Sequence, residues 1–325
     1  MEEKKIIIPE EIIRAAQNGR LVLFIGNGVS RLLGYPSWGQ LAEGLLKQLY
    51  DEKNGIEYIN FAEKELLKRL PIKKRISIIL DITKEKNIKS DFRKILKADE
   101  CLEKRYYDIY EMLFSLGAAF VTTNYDMSLD GLSARQKTSE SISQLQLTAA
   151  GAVIKTTKVF YKKQDINIAH VNSGSVIHLH GSLEDETSMV LTTRDYLQHY
   201  TDPVITTFFK ELFSKKTVLF IGFGMDEEDI LEYVLRKQET GGEKKNVPDH
   251  YCFFPKNGKD DLAFTMLDSY YRKNCNVGLI EYDISKKGYP ILREKIIELH
   301  EALKDQVNDV MLADKIKTID GILKK

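Results

Sequence analysis

One ten-residue stretch constrains the fold more than any other part of this chain. Residues 21–25 are five apolar residues, LVLFI, and the next five are GNGVS. The run is too short for a helix and rich in β-formers, so it predicts a strand buried on both faces. The two glycines allow a sharp turn and a close approach to a ligand, and residues 38–50 carry apolar residues at helical spacing. Strand, glycine turn and helix together are how α/β proteins hold a phosphate, although a tight βα turn without a ligand has the same pattern.

The overall charge and hydropathy favour neither a nucleic-acid-binding protein nor a membrane protein. Forty-eight basic residues balance 48 acidic residues among 325, so net charge gives no argument for direct nucleic-acid binding. No apolar run approaches the roughly 18 residues of a membrane span, and residues 1–19 lack the apolar region of a signal peptide. We therefore expect a cytoplasmic protein that does not contact a membrane, and direct nucleic-acid binding is not indicated, although a balanced net charge is compatible with a local basic patch.

The number and spacing of the cysteines also favour a cytoplasmic protein. Cys101, Cys252 and Cys275 are scattered and form no CxxC pair. They fit a reducing compartment and argue against a four-cysteine zinc site. We therefore expect no bound metal.

The common dehydrogenase fingerprint is absent. Residues 51–115 show helical periodicity and no convincing strand, whereas a dinucleotide fold has a second strand ending in an acidic residue about 20 positions beyond the glycines. The sixth position of a G-x-G-x-x-G motif would be Arg31 rather than glycine.

The remaining periodicity predicts an α/β protein with a Rossmann-like parallel sheet. Residues 1–50 and 116–285 form the predicted core, residues 51–115 an inserted helical subdomain, and residues 286–325 C-terminal helices. An apolar stripe in the last segment packs on the core or on another subunit. Further strands are predicted at residues 118–123, 153–161, 175–180, 189–191, 217–221, 251–254 and 277–282, and helices at 9–18, 38–50, 194–200, 204–213, 226–237 and 262–271.

Four predicted strands end in small or polar residues. Because the carboxyl ends of parallel strands share one edge of a sheet, these residues are expected to meet in one crevice. The sets are Gly26, Gly28 and Ser30; Thr122, Asn124 and Asp126; His180 and Gly181; and Gly222 and Gly224.

His180 is the histidine we expect to carry chemistry, because imidazole acts as a base near neutral pH. His178, two residues earlier, is expected on the same strand face in a supporting or purely structural role. Asn124 and Asp126 point to one side of an extended chain, where the amide can hold a water or hydroxyl and the carboxylate can accept a hydrogen bond. Both residues also fit simple caps of the following turn.

Several motifs together resemble the sirtuin family. GNGVS at residues 26–30 is similar to the sirtuin Gly-Ala-Gly-x-Ser loop, and GYPSW at 34–38 to the Gly-Ile-Pro segment that follows it. TTNYD at 122–126 resembles Thr-Gln-Asn-Ile-Asp, HLHGS at 178–182 contains the His-Gly that supplies the sirtuin base, and GFGM at 222–225 lies where sirtuins have Gly-Thr-Ser. The closer resemblance is to the zinc-less, sirtuin-like domains of bacterial anti-phage defence systems.

That resemblance implies an enzyme that hydrolyses NAD⁺ and depletes the infected cell in abortive infection, rather than a deacetylase. It also implies a homo-oligomer, often with a partner such as a hexameric DNA-translocase ATPase, a phage-protein sensor or an Argonaute-like module. The chain departs from true sirtuins in lacking the four zinc cysteines. It also has Ser37 and Gly39 where sirtuins have an acidic residue and an arginine after Gly-x-Pro. Both departures argue against binding of an acyl-lysine peptide.

The resemblance also implies roles for individual residues. His180, Asn124 and Asp126 are the expected catalytic residues, His180 as base, Asn124 positioning water or a ribose hydroxyl, and Asp126 orienting the nicotinamide amide. The residues expected to bind NAD⁺ are Gly26, Asn27, Gly28, Ser30, Trp38, Thr123, Gly222, Phe223 and Gly224.

Two other functions remain open at this point. A protein deacylase on the same fold would release nicotinamide only when an acylated peptide is present. A non-catalytic sensor or scaffold would bind NAD⁺ or ADP-ribose without turnover.

Overall fold

The computed structural model describes residues 5–130, 159–223, 247–258 and 261–306. Seven strands form one sheet in the order β5-β6-β4-β1-β7-β8-β9, and every neighbouring pair is parallel. This confirms the predicted Rossmann-like α/β class. The strands of this sheet are β1 (Leu21–Ile25), β4 (Ala119–Thr122), β5 (Val159–Phe160), β6 (Val176–His178), β7 (Thr217–Ile221), β8 (His250–Lys256) and β9 (Val277–Asp283).

Helices cover both faces of the sheet. In the described residues they are α1 (Glu10–Gln17), α2 (Asn27–Leu32), α3 (Trp38–Leu49), α4 (Phe61–Lys68), α5 (Ile72–Glu85), α6 (Phe92–Ile95), α7 (Glu100–Tyr106), α8 (Asp108–Ser115), α9 (Thr193–Thr201), α10 (Pro203–Lys215), α11 (Asp261–Cys275) and α12, described over residues 292–306.

The strand order creates a switch point beside the central strand. From β1 the chain builds outward through β4 to β6, then returns to place β7 on the other side of β1 and continues to β8 and β9. In open α/β sheets ligands bind outside the carboxyl ends of strands at such a reversal. The glycine turns after β1 and β7 lie at this point.

The two faces of the sheet bury alternate residues of each strand, as extended chain requires. Leu21, Leu23 and Ile25 of β1 pack in a core with α1, α8 and α12. Val22 and Phe24 pack on the opposite face, in a core that includes apolar residues of α10. β1 is therefore buried on both faces, as its composition predicts.

Residues 51–115 are largely helical, as expected, but they include three of the four residues of a short antiparallel ladder. This ladder joins β2 (Tyr50–Asp51) to β3 (Ile56–Glu57). A third core unites α3 with α4, α5 and α6 and includes Tyr125 and Leu183. By contrast, α8 contributes Ile109, Tyr110 and Leu113 to the core of the main sheet. The domain boundaries given above stay a prediction.

Several local predictions were wrong or lie outside the described residues. The helix predicted from Trp38 is present as α3, but the short helix α2, which begins at Asn27 directly after the glycine turn, was not predicted. Residues 189–191 form no strand, since their backbone is used to pack the loop against β6, with the Val190 N–H donating to the His180 carbonyl over 2.9 Å. The predicted helix at residues 226–237 lies outside the described residues.

The C-terminal apolar stripe packs on the core. Its members in the core that contains α1 and α8 are Ile291, Leu292, Ile296, Leu299 and Leu303. Ile297 is half-buried. Apolar residues that recur with the 3.6-residue period of a helix lie on one face, and this face covers the sheet.

Candidate functional site

A cavity of about 1060 Å³ opens at the switch point, between the carboxyl ends of the strands and the helical segment. Its volume suits a ligand of dinucleotide size. Sequence-predicted residues that line it are Asn27, Gly28, Trp38, Thr123, Asn124, Asp126, Gly222 and Phe223. Three of the four predicted polar sets therefore meet there. Gly224 lies outside the described residues.

The glycines after β1 and β7 pack directly against each other. A Cβ atom on Gly26 or Gly28 would lie 2.5 or 2.7 Å from the Gly222 carbonyl oxygen, and one on Gly222 would lie 2.5 Å from the Val29 nitrogen. Gly222 also has a φ of +64°, which favours glycine. The Gly28 N–H donates to the Gly222 carbonyl over 2.7 Å and the Gly26 N–H to Ile221 over 2.9 Å. The two turns form one continuous floor of the cavity.

Asn124 and Asp126 are joined through Ser30. The Ser30 hydroxyl donates to Asp126 Oδ2 over 2.6 Å, so it accepts from Asn124 Nδ2 at 2.8 Å and from the Tyr110 hydroxyl at 3.1 Å. This network ties the end of β4 to α2 and α8. It also leaves the amide oxygen of Asn124 without a hydrogen-bond partner among the described residues.

Asp126 is buried, and burial raises its pKa, while hydrogen bonds from Ser30 and from the Ser128 N–H act in the opposite direction. Desolvation disfavours the charged carboxylate, whereas donors stabilise it. Burial also raises the pKa of Tyr110 and Tyr35, and in both the charge of Asp126 adds to the effect. The carboxylate therefore lies among neutral donors at the wall of the cavity.

His178 is fully buried with a partner on each ring nitrogen. Nδ1 lies 2.9 Å from the Asn124 carbonyl oxygen and Nε2 lies 2.8 Å from Asp130 Oδ1. Burial alone would lower the pKa of His178, but the Asp130 carboxylate and the two hydrogen bonds outweigh it and raise the pKa. Since both neighbours accept, the ring donates from both nitrogens and holds the loop after β4.

His180 has different surroundings from His178. Its Nε2 lies 2.7 Å from the Tyr200 hydroxyl, and its Nδ1 is buried with no hydrogen-bond partner. The ring packs edge-on against Tyr196, His199 and Tyr200, with centroids 5.1 to 5.8 Å apart. Burial, followed by the electrostatic effects of His199 and Lys73, holds the pKa of His180 well below its usual value.

The expectation that His178 and His180 share a strand face was wrong. β6 ends at His178, and Gly181 has a φ of +79°, so the period-two alternation stops before His180. The side chain of His180 joins aromatic residues of α9, whereas His178 contacts the loop after β4.

His180 is only 1 % exposed and does not line the large cavity. Tyr196 does line it, and the same side chain contacts the His180 ring edge-on at 5.1 Å. Lys73 Nζ lies 4.2 Å from the centre of the Tyr196 ring, in a cation–π contact. Tyr196 thus connects the cavity to the buried histidine.

Sequence reasoning missed two groups of residues. Arg31 and Lys73 bring positive charge to the cavity, although Arg31 was noted only as a departure from a glycine motif. The second group lies on α9, where a helix is predicted near residues 194–200, but the sequence reasoning linked His180 to none of the side chains that surround it, Tyr196, His199 and Tyr200. Spacing of four residues between Tyr196 and Tyr200 places them on one helix face, which is the signal that could have found them.

Metal-ligating side chains do not cluster within the described part of the chain, where no group of three or more His, Cys, Asp or Glu residues could hold an ion. The three cysteines are unpaired, and Cys252 and Cys275 are buried. Among the described helices, none is both long enough and apolar enough to cross a bilayer.

Residues 118–277 match the family described as the SIR2-like domain. The match spans just under half of the 325-residue chain. The match begins just before β4 and ends at the first residue of β9, so it includes Asn124, Asp126, His180 and Gly222. The glycine turn after β1 precedes the matched residues, but the structure places it in the same cavity.

Curated relatives extend the similarity to most of the chain. The chain is 28% identical over 310 residues to "Defense-associated sirtuin 2" of Bacillus subtilis, covering 90% of this chain and 27% of the relative. It is 24% identical over 263 residues to "NAD(+) hydrolase ThsA" of Cytobacillus dafuensis, covering 79% of this chain and 45% of the relative. A ThsA of Bacillus cereus (strain MSX-D12) is 25% identical over 72% of this chain and 43% of its own length.

The chain therefore spans between about a quarter and just under half of the length of these relatives. What their names state applies to those longer proteins.

Proposed function

We propose that this chain binds NAD⁺ in the cavity at the switch point and hydrolyses its nicotinamide–ribose bond. The observation that carries the proposal is the meeting of the two glycine turns, Asn124 and Asp126 in one cavity of about 1060 Å³. The SIR2-like match and the two relatives named NAD(+) hydrolase support this reaction class.

The charged lining of the cavity supports a ligand with a pyrophosphate. Arg31 and Lys73 supply positive charge, and Asp126 is the acidic residue of the lining. Because the N–H groups of Gly26 and Gly28 already donate to Ile221 and Gly222, the Asn27 N–H is the backbone donor we propose for a phosphate oxygen at this turn. Trp38 and Phe223 offer apolar surface to the bases of the dinucleotide.

The proposed reaction needs little acid catalysis. Nicotinamide leaves a positively charged linkage as a neutral molecule and takes the bonding electron pair with it. Water adds its oxygen to the anomeric carbon, and its proton passes to a base, giving nicotinamide, ADP-ribose and H⁺. Asn124 would hold the water or a ribose hydroxyl through its unpaired amide oxygen, Asp126 would orient the carboxamide, and His180 would accept the proton.

Burial of His180 adds one requirement to this proposal. The ring must meet the ribose, and Tyr196 is the cavity-lining side chain that contacts it. We therefore propose that Tyr196 shifts when NAD⁺ binds, as Lys73 turns from the tyrosine ring to the pyrophosphate. Catalytic contacts that are loose or incomplete in a free enzyme commonly tighten in the substrate complex.

The defence role belongs to the same proposal. A relative named defense-associated sirtuin supports an anti-phage function, and an unregulated NAD⁺ hydrolase would poison its host. We propose that this cytoplasmic enzyme acts in abortive infection after assembly into a homo-oligomer or contact with a partner protein. An ATPase, a phage-protein sensor and an Argonaute-like module are the partner types that the resemblance implies.

The test is nicotinamide release from NAD⁺ by the purified chain, followed by chromatography, alone and with candidate partners. Asn124→Ala should reduce release about a hundredfold or more. Asn172→Ala is a matched control, because its exposed amide bonds only the nearby Ala169 carbonyl, and it should keep wild-type activity. Equal activity in Asn124→Ala and wild type would overturn the proposal. Release only in the presence of an acylated peptide would assign a deacylase instead.

A further inference from the structure

The hydroxyl of Tyr200 is the polar group that meets the His180 ring. The 2.7 Å contact joins it to Nε2, and both residues are buried, at 1 % exposure for His180 and 7 % for Tyr200. The Tyr200 ring is itself fixed by stacking on Phe209, with centroids 6.1 Å apart and planes 15° apart. Nothing in the proposed reaction described above uses this hydroxyl.

The other nitrogen of the ring decides which way the hydrogen bond runs. Nδ1 of His180 is buried without a hydrogen-bond partner among the described residues. If Tyr200 donated to Nε2, the ring proton would lie on Nδ1 as a buried N–H with no acceptor. In the reverse arrangement the tyrosine hydroxyl proton can rotate towards another acceptor, whereas a ring N–H is fixed in direction, and orphaned buried N–H donors are rarer in folded proteins than under-satisfied acceptors. The arrangement in which Nε2–H donates to the tyrosine oxygen is therefore the favoured one.

We propose that Tyr200 is a positioning residue, which accepts the Nε2–H hydrogen bond of His180 and thereby keeps Nδ1 unprotonated as the basic atom. This inference rests on the proposed function, because it assigns the base within that site. It also names the nitrogen that must face the attacking water once Tyr196 has moved.

The charged and titratable groups around the ring agree with a neutral imidazole. Lys73 of α5 and His199 of α9 disfavour its protonation, while Tyr196 and Tyr200 of α9 present aromatic rings and a neutral hydroxyl. Asp126 and Asp130, the carboxylates near the end of β4, bond to Ser30 and His178 instead. The ring is thus held as a neutral base, and the tyrosine selects its tautomer.

The experiment combines turnover with nitrogen NMR on the full chain. Histidine-labelled protein gives the tautomer of His180 from its ring ¹⁵N shifts, assigned by the loss of the signals in His180→Gln. Wild type should show the Nε2–H form, and Tyr200→Phe should show a mixture of both tautomers. In nicotinamide release, Tyr200→Phe should lower kcat about tenfold or more and change KM for NAD⁺ by less than about twofold.

Tyr251→Phe is the matched control, because it also removes a buried tyrosine hydroxyl that makes a hydrogen bond, in this case to Glu11 over 3.0 Å. Tyr251→Phe should lose about as much thermal stability as Tyr200→Phe. Its kcat and the ¹⁵N chemical shifts of the His180 ring should match those of wild type. An Nδ1–H tautomer in wild type, or unchanged kcat and shifts in Tyr200→Phe, would overturn the inference. If wild type releases no nicotinamide, the proposed function fails, and the NMR measurement still decides the role of Tyr200.

Discussion

His178 and His180 are separated by one residue, yet the protein gives their imidazole rings opposite surroundings. His178 has an acceptor on each nitrogen, one of them the Asp130 carboxylate, and its pKa is raised. His180 has a neutral tyrosine hydroxyl on one nitrogen and nothing on the other, and burial with nearby positive charge lowers its pKa. The first ring is built to hold a proton and the second to remain without one.

The difference separates a structural histidine from a chemical one. A ring that donates from both nitrogens has no lone pair to offer, so His178 cannot act as a base where it lies. Its contact with the Asn124 carbonyl fixes the loop that lines the cavity. His180 keeps a lone pair on Nδ1 that meets no donor among the described residues, so this ring is the one that can accept a proton. Only the second arrangement suits the proton transfer that we propose.

The largest expected effect is on turnover in His180→Gln. This variant keeps a side chain of related size and polarity but loses the base, so nicotinamide release should fall about a hundred- to ten-thousandfold. The folded structure should be retained, because the ring makes no ion pair within the part of the chain that the structure describes. Chromatography of nicotinamide gives the rate, and circular dichroism checks the fold.

The control for this variant is His300→Gln, since that ring bonds Ser115 on α8 and does not line the cavity. Its rate should match wild type. A His180→Gln protein that is folded and fully active would show that the neutral histidine is not the base.

The second effect is on stability in His178→Gln. Removing the imidazolium leaves the Asp130 carboxylate, 13 % exposed, without its partner, and loss of one member of a buried ion pair destabilises by about 3–5 kcal/mol. Urea unfolding should show this loss, and the double variant with Asp130→Asn should recover part of it. A loss below about 1 kcal/mol would contradict the structural role and remove the contrast with His180.

The fold was largely predictable because its determinants are local. Five apolar residues before a glycine turn specify β1, and four specify β7. Ser37 with Gln40 forms the capping box that begins α3. The secondary-structure predictions that were wrong concern residues whose conformation depends on tertiary contacts. Residues 189–191 have the composition of a strand, but their backbone groups bond a loop of the same chain instead of a sheet neighbour.

The site was less predictable, for a physical reason. Glycines, Asn124 and Asp126 follow strands, and the topology of a parallel sheet brings strand ends together, so their meeting in one cavity could be expected. The environment of His180 depends on α9, whose approach to the sheet no local pattern encodes. Period-two alternation also fails beyond the end of β6, which is why the opposite surroundings of His178 and His180 could not be read from their spacing.

The smallest expected effect tests the charge on His178 through Asp130→Asn. The pKa of histidine in an unfolded chain is near 6.5, and the pKa of His178 in the folded protein is raised above that value. The bound proton therefore stabilises the wild-type fold fully below about pH 6.5. This stabilisation is lost as the pH rises through the folded-state pKa. With an amide at position 130 the His178 ring can lose its proton, so the free energy of unfolding at neutral pH should change by only about 1 kcal/mol. Urea midpoints measured from pH 6.5 to 9 should therefore fall in wild type and stay flatter in the variant. The lowered pKa values of His180 and His199 act below this range, so they do not mask the difference. Parallel curves for the two proteins would mean that His178 is already neutral at pH 6.5, and the contrast between the two histidines would then lie in their hydrogen bonds alone.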